Sequence, residues 1–364
     1  MHERSEQSFS CEKDYNFQHF PPCLFSRLII PYQPVYNKRM TTVQTCDKQT
    51  DWDEEILSRG GHPLQLWGWG EVKAAHNWRV DRIFIYEKDQ IIGAAQMLIR
   101  KLPKPFNALV YLPRGPVAEN GDRAEVLDAI ADYAKQTYHA VAVTIEPDWR
   151  TIPHAHGWHQ SANTILIPRT LILDLNKSDD ELLSAMTKKT RQYIRKSANE
   201  AVEIRQVHGR EELAACLAIY KLTARRAGFG LHDDQYYYDI FDKMGDHALV
   251  TAAFYNDQPV AFLWLAISER TAFELYGGMN DDGQRLRANY ALKWSTIQMT
   301  KKWQIKRYDF NGLLNDGVST FKQGFADHED MLVGTYDRPL SPLYVVWNRG
   351  LPFAKKVIQK LKNR

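Results

Sequence analysis

Lys322 stands between two aromatic residues in Phe321-Lys322-Gln323-Gly324-Phe325. An ammonium placed there could stabilise a developing oxyanion or hold a phosphate, and Gly324 permits close backbone approach. A surface turn would use the same residues, so the motif alone leaves both readings open. The strongest local charge feature is Lys188-Lys189-Thr190-Arg191-Gln192-Tyr193-Ile194-Arg195-Lys196. At about 100° per residue, Lys188, Arg191 and Arg195 fall within one narrow arc of a helix. That face could bind phosphates through charge and hydrogen bonding, or it could simply be a solvated helix face. A third group is Leu64-Gln65-Leu66-Trp67-Gly68-Trp69-Gly70-Glu71-Val72-Lys73. Its tryptophans could wall a ligand beside a cationic anchor, or pack a helix onto a sheet.

Familiar catalytic signatures are missing. There is no G-x-S-x-G elbow, H-E-x-x-H helix, P-loop or G-x-G-x-x-G turn. His154, His156 and His159 form the densest histidine group, in a loop with Pro, Gly and Trp, and a metal there is the weaker reading. Neither a metal nor a cofactor is expected. Chemistry in such a chain must rest on positioning and electrostatics.

Several elements must carry these residues. Residues 51–57 read as a short acidic helix. Residues 79–100 read as a β-hairpin around Glu87-Lys88-Asp89-Gln90. A strand over 108–111 should break at Pro113-Arg114-Gly115-Pro116. An amphipathic helix over 123–138 and a buried strand over 141–145 follow. The same order returns about 168 residues later. Residues 249–255 and 260–267 form a hairpin, 272–276 a strand, 289–303 a helix and 307–310 a last strand. The hairpins share Tyr86 with Tyr255, Asp89-Gln90 with Asp257-Gln258, and Ala94 with Ala261. The order of elements is the stronger signal, and it predicts a duplicated α/β unit. Between the copies, 164–175 reads as strand, Ser178-Asp179-Asp180-Glu181 as a capping box, and 210–226 and 234–244 as helices. No Gly/Ser or Pro-rich linker separates the halves, so they should pack tightly.

The totals set limits. With 364 residues the chain can hold two domains, and 44% hydrophobic with 25% charged residues is ordinary globular composition. A net charge of +3 implies no nucleic-acid partner without a local patch. Cys11, Cys23, Cys46 and Cys216 show no C-x-x-C spacing, which fits a reducing compartment. No apolar run reaches the ~18 to 20 residues of a membrane span. Residues 1–39 have no period and no convincing signal-peptide pattern. They predict an irregular or disordered extension, with Met40 as a candidate start, or an irregular arm packed on the surface. Residues 346–364 read as a basic amphipathic tail that could lie on an anionic leaflet, support RNA or cap the second domain.

Taken in order, five segments resemble the FemABX family of peptidoglycan bridge-forming aminoacyltransferases. They are Gln65 to Lys73, Tyr111-Leu112-Pro113-Arg114-Gly115-Pro116-Val117, Lys188 to Arg195, Leu275-Tyr276-Gly277-Gly278 and Phe321 to Phe325. The resemblance implies an α/β (α+β) fold of two tandem GNAT-like acyltransferase domains, over 40–175 and 176–345. The helices between Ser178 and Met244 leave no room for the long helical arm of some members. It implies transfer of an amino acid from aminoacyl-tRNA to the stem-peptide amine of a UDP-linked or lipid-linked muramyl pentapeptide. Lys73 then resembles the family lysine that contacts the precursor's diphosphate. Phe321 and Lys322 resemble the reaction-centre pair, and Tyr276 a substrate-cleft tyrosine. Arg114 and Glu119 join the precursor site. Arg226, Arg191 or His232 takes the place of a second phosphate contact, and Lys188, Arg191 and Arg195 face the tRNA. No side chain stands out as general base. A cytoplasmic monomer, peripheral at the inner face of the membrane, is expected.

Two rival readings remain. An acyl-CoA-dependent N-acyltransferase would need a Q/R-x-x-G-x-G/A loop, which neither 118–125 nor 280–289 supplies. A non-catalytic RNA- or membrane-binding protein would use the basic helix alone.

Overall fold

The computed structural model describes residues 39–200, 202–314 and 316–350. The expected extension, apart from Arg39, and the tail beyond residue 350 lie outside the described residues. The first half runs β1 (Thr41–Thr45), α1 (Gln49–Ser58), α2 (Trp67–Ala75), β2 (Arg79–Glu87) and β3 (Gln90–Lys101). Then come β4 (Ala108–Arg114), β5 (Val117–Ala118), α3 (Arg123–Tyr138) and β6 (Ala140–Pro147). Short strands β7 (His159–Gln160), β8 (Arg169–Thr170) and β9 (Ile172–Asp174) lead on. Helices α4 (Asp179–Ala185) and α5 (Lys188–Ala198) follow, then β10 (Glu203–Gln206), α6 (Gly209–Ala227) and α7 (Asp234–Met244). The second copy is β11 (Ala248–Tyr255), β12 (Gln258–Ile267), β13 (Thr271–Met279), α8 (Asp281–Leu286), α9 (Ala288–Lys302) and β14 (Arg307–Asp309). Helix α10 (Gly317–Gln323), β15 (Asp330–Met331) and β16 (Tyr336–Pro339) close the described fold.

One sheet has the order β1-β2-β3-β4-β6-β16-β7, with β5 beside β3, and the other β10-β11-β12-β13-β14-β9. Each repeats an antiparallel run that ends in a parallel pair joined by a helix, which is the tandem GNAT-like fold. The repeat extends to a shared irregularity. The register slips between Ile85 and Tyr86 in one hairpin and between Ala253 and Phe254 in the other. Aligning these slips pairs Gln90 with Gln258 but sets Tyr86 against Phe254. The shared tyrosines and alanines are therefore one residue out of register. Residues 172–174 edge the second sheet, and 336–339 lie between β6 and β7 in the first, so chain from each side of the second copy braces both sheets.

The parallel pairs differ between copies. Strands β4 and β6 stay paired from Ala108 to Arg114. The ladder therefore does not break at Pro113 as the sequence suggested. Pairing with β3 ends at Tyr111, so the missing Pro113 N–H faces no acceptor on that side. In the second copy β13 pairs with β14 only at Thr271, Ala272 and Phe273, then runs on to Met279 paired with β12 alone. Beyond Phe273 β13 and β14 are split.

The halves share one core. Trp69 and Val72 of α2 pack with Leu217, Tyr237 and Trp264 of the second copy. Helix α2 approaches α7 so closely that a Cβ at Gly68 would lie 2.4 Å from the Lys243 carbonyl. Only glycine fits there. The capping box at Ser178 is present, with Ser178 N–H donating to Glu181 at 2.8 Å. Helix α6 packs along β12 and β13 rather than projecting as an arm.

Candidate functional site

The diverging β13 and β14 are lined by charge that the apolar pattern of this region conceals. Glu274 on β13 and Lys293 on α9 are 6% and 5% exposed and form an ion pair. Tyr308 donates to the same Glu274 oxygen at 2.8 Å, and Asn311 Nδ2 donates to the Glu274 carbonyl at 2.9 Å. Phe310 and Phe321 place ring faces 4.7 and 5.4 Å from Lys293 Nζ. Burial lowers the Lys293 pKa; Glu274 opposes the shift and Lys322 adds to it.

Lys322 lies above this pair on α10, which begins at Asp316, whose carboxylate accepts the Ser319 N–H at 2.8 Å. Its ammonium donates to the carbonyls of Phe310 at 2.6 Å, Asn311 at 2.5 Å and Gly312 at 3.3 Å. Three carbonyls thus hold the charge at the mouth of the split strands. Phe321 packs edge-on against Tyr290 and Phe325 at 4.9 and 5.2 Å. Gly324 brings this segment against α5: its carbonyl accepts the Thr187 N–H at 3.0 Å, and a Cβ would lie 2.4 Å from Thr190 Oγ1.

The start of the basic helix therefore lies against the Lys322 segment. Lys188, Lys189, Arg195 and Lys196 are exposed there. Arg191 is not presented with them. Its guanidinium turns inward to the carbonyls of Leu183, Ser184 and Met186 and satisfies the end of α4. The sequence arc was correct, but a helix C-terminus next to it claimed the middle residue.

Lys73 is brought to Tyr276 through a residue that the sequence did not single out. Its ammonium donates to Tyr236 Oη at 2.6 Å and sits 4.3 Å from the Trp69 ring. Tyr236 hydrogen-bonds Tyr276, whose ring also meets Tyr220 and Tyr237. His232 stacks on Tyr236 at 3.9 Å, which places it in the Lys73 cluster. Burial lowers Lys73 from the ordinary lysine value to about 8, with nearby Arg100 adding to the shift. Arg226, on α6, donates to the Met279 carbonyl at the end of β13 at 3.1 Å. Arg114 and Glu119 line a different cleft, beside Asp148 and Arg307. Among the described residues no group of three His, Cys, Asp or Glu side chains is placed to hold a metal.

The FemAB family profile matches residues 57–167, 151–258 and 252–349. This chain belongs to the FemAB family. It is 31% identical over 202 residues to the Lipid II:glycine glycyltransferase of Staphylococcus epidermidis strain RP62A, across 50% of this chain and 48% of that protein. It is 27% identical over 289 residues to the Lipid II:glycine glycyltransferase of Staphylococcus aureus strain USA300, across 74% of this chain and 63% of that protein. The chain thus spans about half to under two thirds of these curated relatives. Among solved structures, FemX superposes with a TM-score of 0.76 at 20% identity, covering 84% of this chain and all of FemX. That likeness carries the fold. The matched ranges contain the five short segments on which the FemABX resemblance rested.

Proposed function

We propose that this FemAB-family protein transfers an amino acid from aminoacyl-tRNA to the stem-peptide amine of a peptidoglycan precursor, forming an interpeptide bridge. The observation that carries this reading is the split of β13 and β14, with Lys322 at its mouth and the exposed cations of α5 beside it. An aminoacyl ester can enter the split while the RNA backbone follows the basic helix. The neutral amine attacks the ester carbonyl carbon, and Lys322 stabilises the oxyanion by turning to it the N–H held by the Gly312 carbonyl at 3.3 Å. As the intermediate collapses, the carbon–oxygen bond to the tRNA ribose breaks and the amine's proton goes to the leaving oxygen. The acceptor's diphosphate would lie at Lys73. Peripheral contact with the inner face of the membrane belongs to the same reading, since a lipid-linked acceptor is held there.

The loop between β13 and α9 speaks against acyl-CoA. It holds Asp281 and Asp282 at the start of α8, where a pyrophosphate would need donors and no negative charge. The deciding experiment incubates the protein with charged tRNA pools and each muramyl precursor, and follows the mass of the stem peptide. A gain of one amino-acid residue that depends on charged tRNA is expected. A 42-dalton gain from acetyl-CoA, as for any acetyl transfer, would replace this reading with the acyl-CoA one.

The Lys73 assignment has its own signature. A charge-assisted contact is worth roughly 1.5 to 3 kcal/mol, so Lys73→Ala should raise precursor KM about ten- to a hundredfold. Aminoacyl-tRNA binding should stay unchanged. In the native protein only protonated Lys73 attracts the diphosphate. Precursor KM should therefore be flat below the Lys73 pKa of about 8 and rise as pH climbs through it. A flat profile through that pH would free Lys73 from the diphosphate.

A further inference from the structure

The cleft that holds Arg114 has a polar interior whose donors lack acceptors. Arg114 is 2% exposed, and its Nε and Nη2 have no hydrogen-bond partner. His62 is 1% exposed and accepts the Leu64 N–H through Nδ1 at 3.1 Å, so its proton is on Nε2, which is also buried without a partner. Burial holds this imidazole neutral, well below its ordinary pKa. The Nε of Arg123 is a fourth unpartnered donor. All three side chains line one cleft of about 140 Å³. Buried donors are almost always paired, so several converging on one cleft mark the place of an acceptor. Arg114 also has a positive φ of 53°, a backbone state that side chains other than glycine rarely hold unless their surroundings enforce it.

The balance of charge in the cleft fits an anion. Arg59, Arg270 and Arg307 join Arg114 and Arg123 in the lining, against the carboxylates of Glu119 and Asp148. Asp148 is already engaged, accepting two bonds from Arg307 Nη2 at 2.6 and 2.7 Å. The free edge of Arg114 is specific in shape. Nε–H and Nη2–H lie on one side of the guanidinium and point in parallel, the fork that a carboxylate accepts with both oxygens. A lining that includes two carboxylates disfavours a doubly charged phosphate, and a nucleic-acid backbone needs a longer track.

We propose that this cleft is a carboxylate subsite, in which the Nε/Nη2 edge of Arg114 receives the C-terminal carboxylate of the acceptor's stem peptide. The inference rests on the acceptor reading given above. Two chain segments connect the lining of this cleft to the Lys73 and Tyr276 cluster. His62 opens the turn that leads into α2 and Lys73. The Phe273 ring meets His62 at 4.6 Å and Arg114 at 5.4 Å, three residues before Tyr276 on β13. A precursor held by its diphosphate at Lys73 can thus reach Arg114 with the far end of its peptide, leaving the middle of the peptide, with its amine, between the two anchors.

The test changes the ligand first, so it does not depend on a variant folding. Calorimetry compares the native full chain binding UDP-linked muramyl pentapeptide with the same molecule carrying a C-terminal carboxamide. The amide should bind about ten- to a hundredfold more weakly, the effect of losing a charge-assisted bidentate contact. In Arg114→Gln, checked by thermal melting, acid and amide should bind alike. Equal binding of the two ligands by the native protein would overturn the subsite and leave the acceptor reading intact. Failure of the native protein to bind either ligand, or the lipid-linked precursor in detergent micelles, would remove both. A preference for the acid that survives in Arg114→Gln would place the carboxylate elsewhere. Loss of aminoacyl-tRNA binding in that variant, with acid and amide still distinguished, would assign the cleft to RNA phosphate.

Discussion

Lys322→Ala is expected to lower kcat by ~10² to 10³, the effect of removing one oxyanion donor, and to leave precursor KM nearly unchanged. The expectation follows from where the ammonium is held. Three carbonyls of residues 310–312 fix it at the mouth of the β13–β14 split, above the buried Glu274–Lys293 pair. Those carbonyls also give the substitution a second effect, because alanine removes their shared donor and loosens the loop. Thermal melting separates the two effects: a turnover loss with a melting temperature within a few degrees of native is catalytic. Lys322→Arg should rescue poorly, because a planar fork cannot gather three converging carbonyls as a compact ammonium does. If only tRNA phosphate is held there, arginine should work well. Near-wild-type turnover in the alanine variant would take Lys322 out of the chemistry and leave Tyr276 as the next candidate.

Much of the fold was legible because its signals are local. The hairpins, α3, α6, α7 and α9 follow from side-chain period and turn residues, and the repeated order of elements exposed the duplication. Strand β1 escaped because it is an edge strand of five residues, Thr41–Thr45, with no apolar alternation. Residues 164–175 read as strand and hold β8 and β9, but that β9 joins the second sheet, and that β16 exists at all, escaped because only distant pairing defines them. Among candidate site residues, Lys73, Tyr276 and Lys322 were named through the family resemblance. Tyr236, which joins Lys73 to Tyr276, was hidden in a run of three tyrosines on α7 with nothing local to distinguish one from another. The inward turn of Arg191 is likewise invisible until α4 ends beside it. One signal was present and unread. Tyr290, Lys293, Trp294 and Ile297 occupy i, i+3, i+4 and i+7, so a lysine lies within the apolar stripe of α9. A charge on a buried face implies a partner, and Glu274 on the neighbouring strand is that partner.

The pair should therefore show itself as coupled stability. Lys293→Met leaves the Glu274 carboxylate buried with the Tyr308 hydroxyl and no cation, at a cost of about 3 to 5 kcal/mol. For a unit of roughly 150 to 250 residues this corresponds to a melting temperature lower by about 6 to 20 °C. Glu274→Gln should cost less, because burial already disfavours the charged form of Lys293 and the lysine can shed its proton. The two variants should respond to pH with opposite sign. Loss of stability in Lys293→Met should shrink as pH falls, because protonation neutralises the stranded carboxyl group. Loss in Glu274→Gln should shrink as pH rises, because deprotonation neutralises the stranded amine. The double variant Lys293→Met/Glu274→Gln should be more stable than Lys293→Met alone, a non-additivity that only a direct interaction produces. Additive losses below about 1 kcal/mol each would show that the pair contributes little. Turnover should fall further than stability does in the single variants, because Phe310 and Phe321 pack on Lys293 and carry the backbone that orients Lys322.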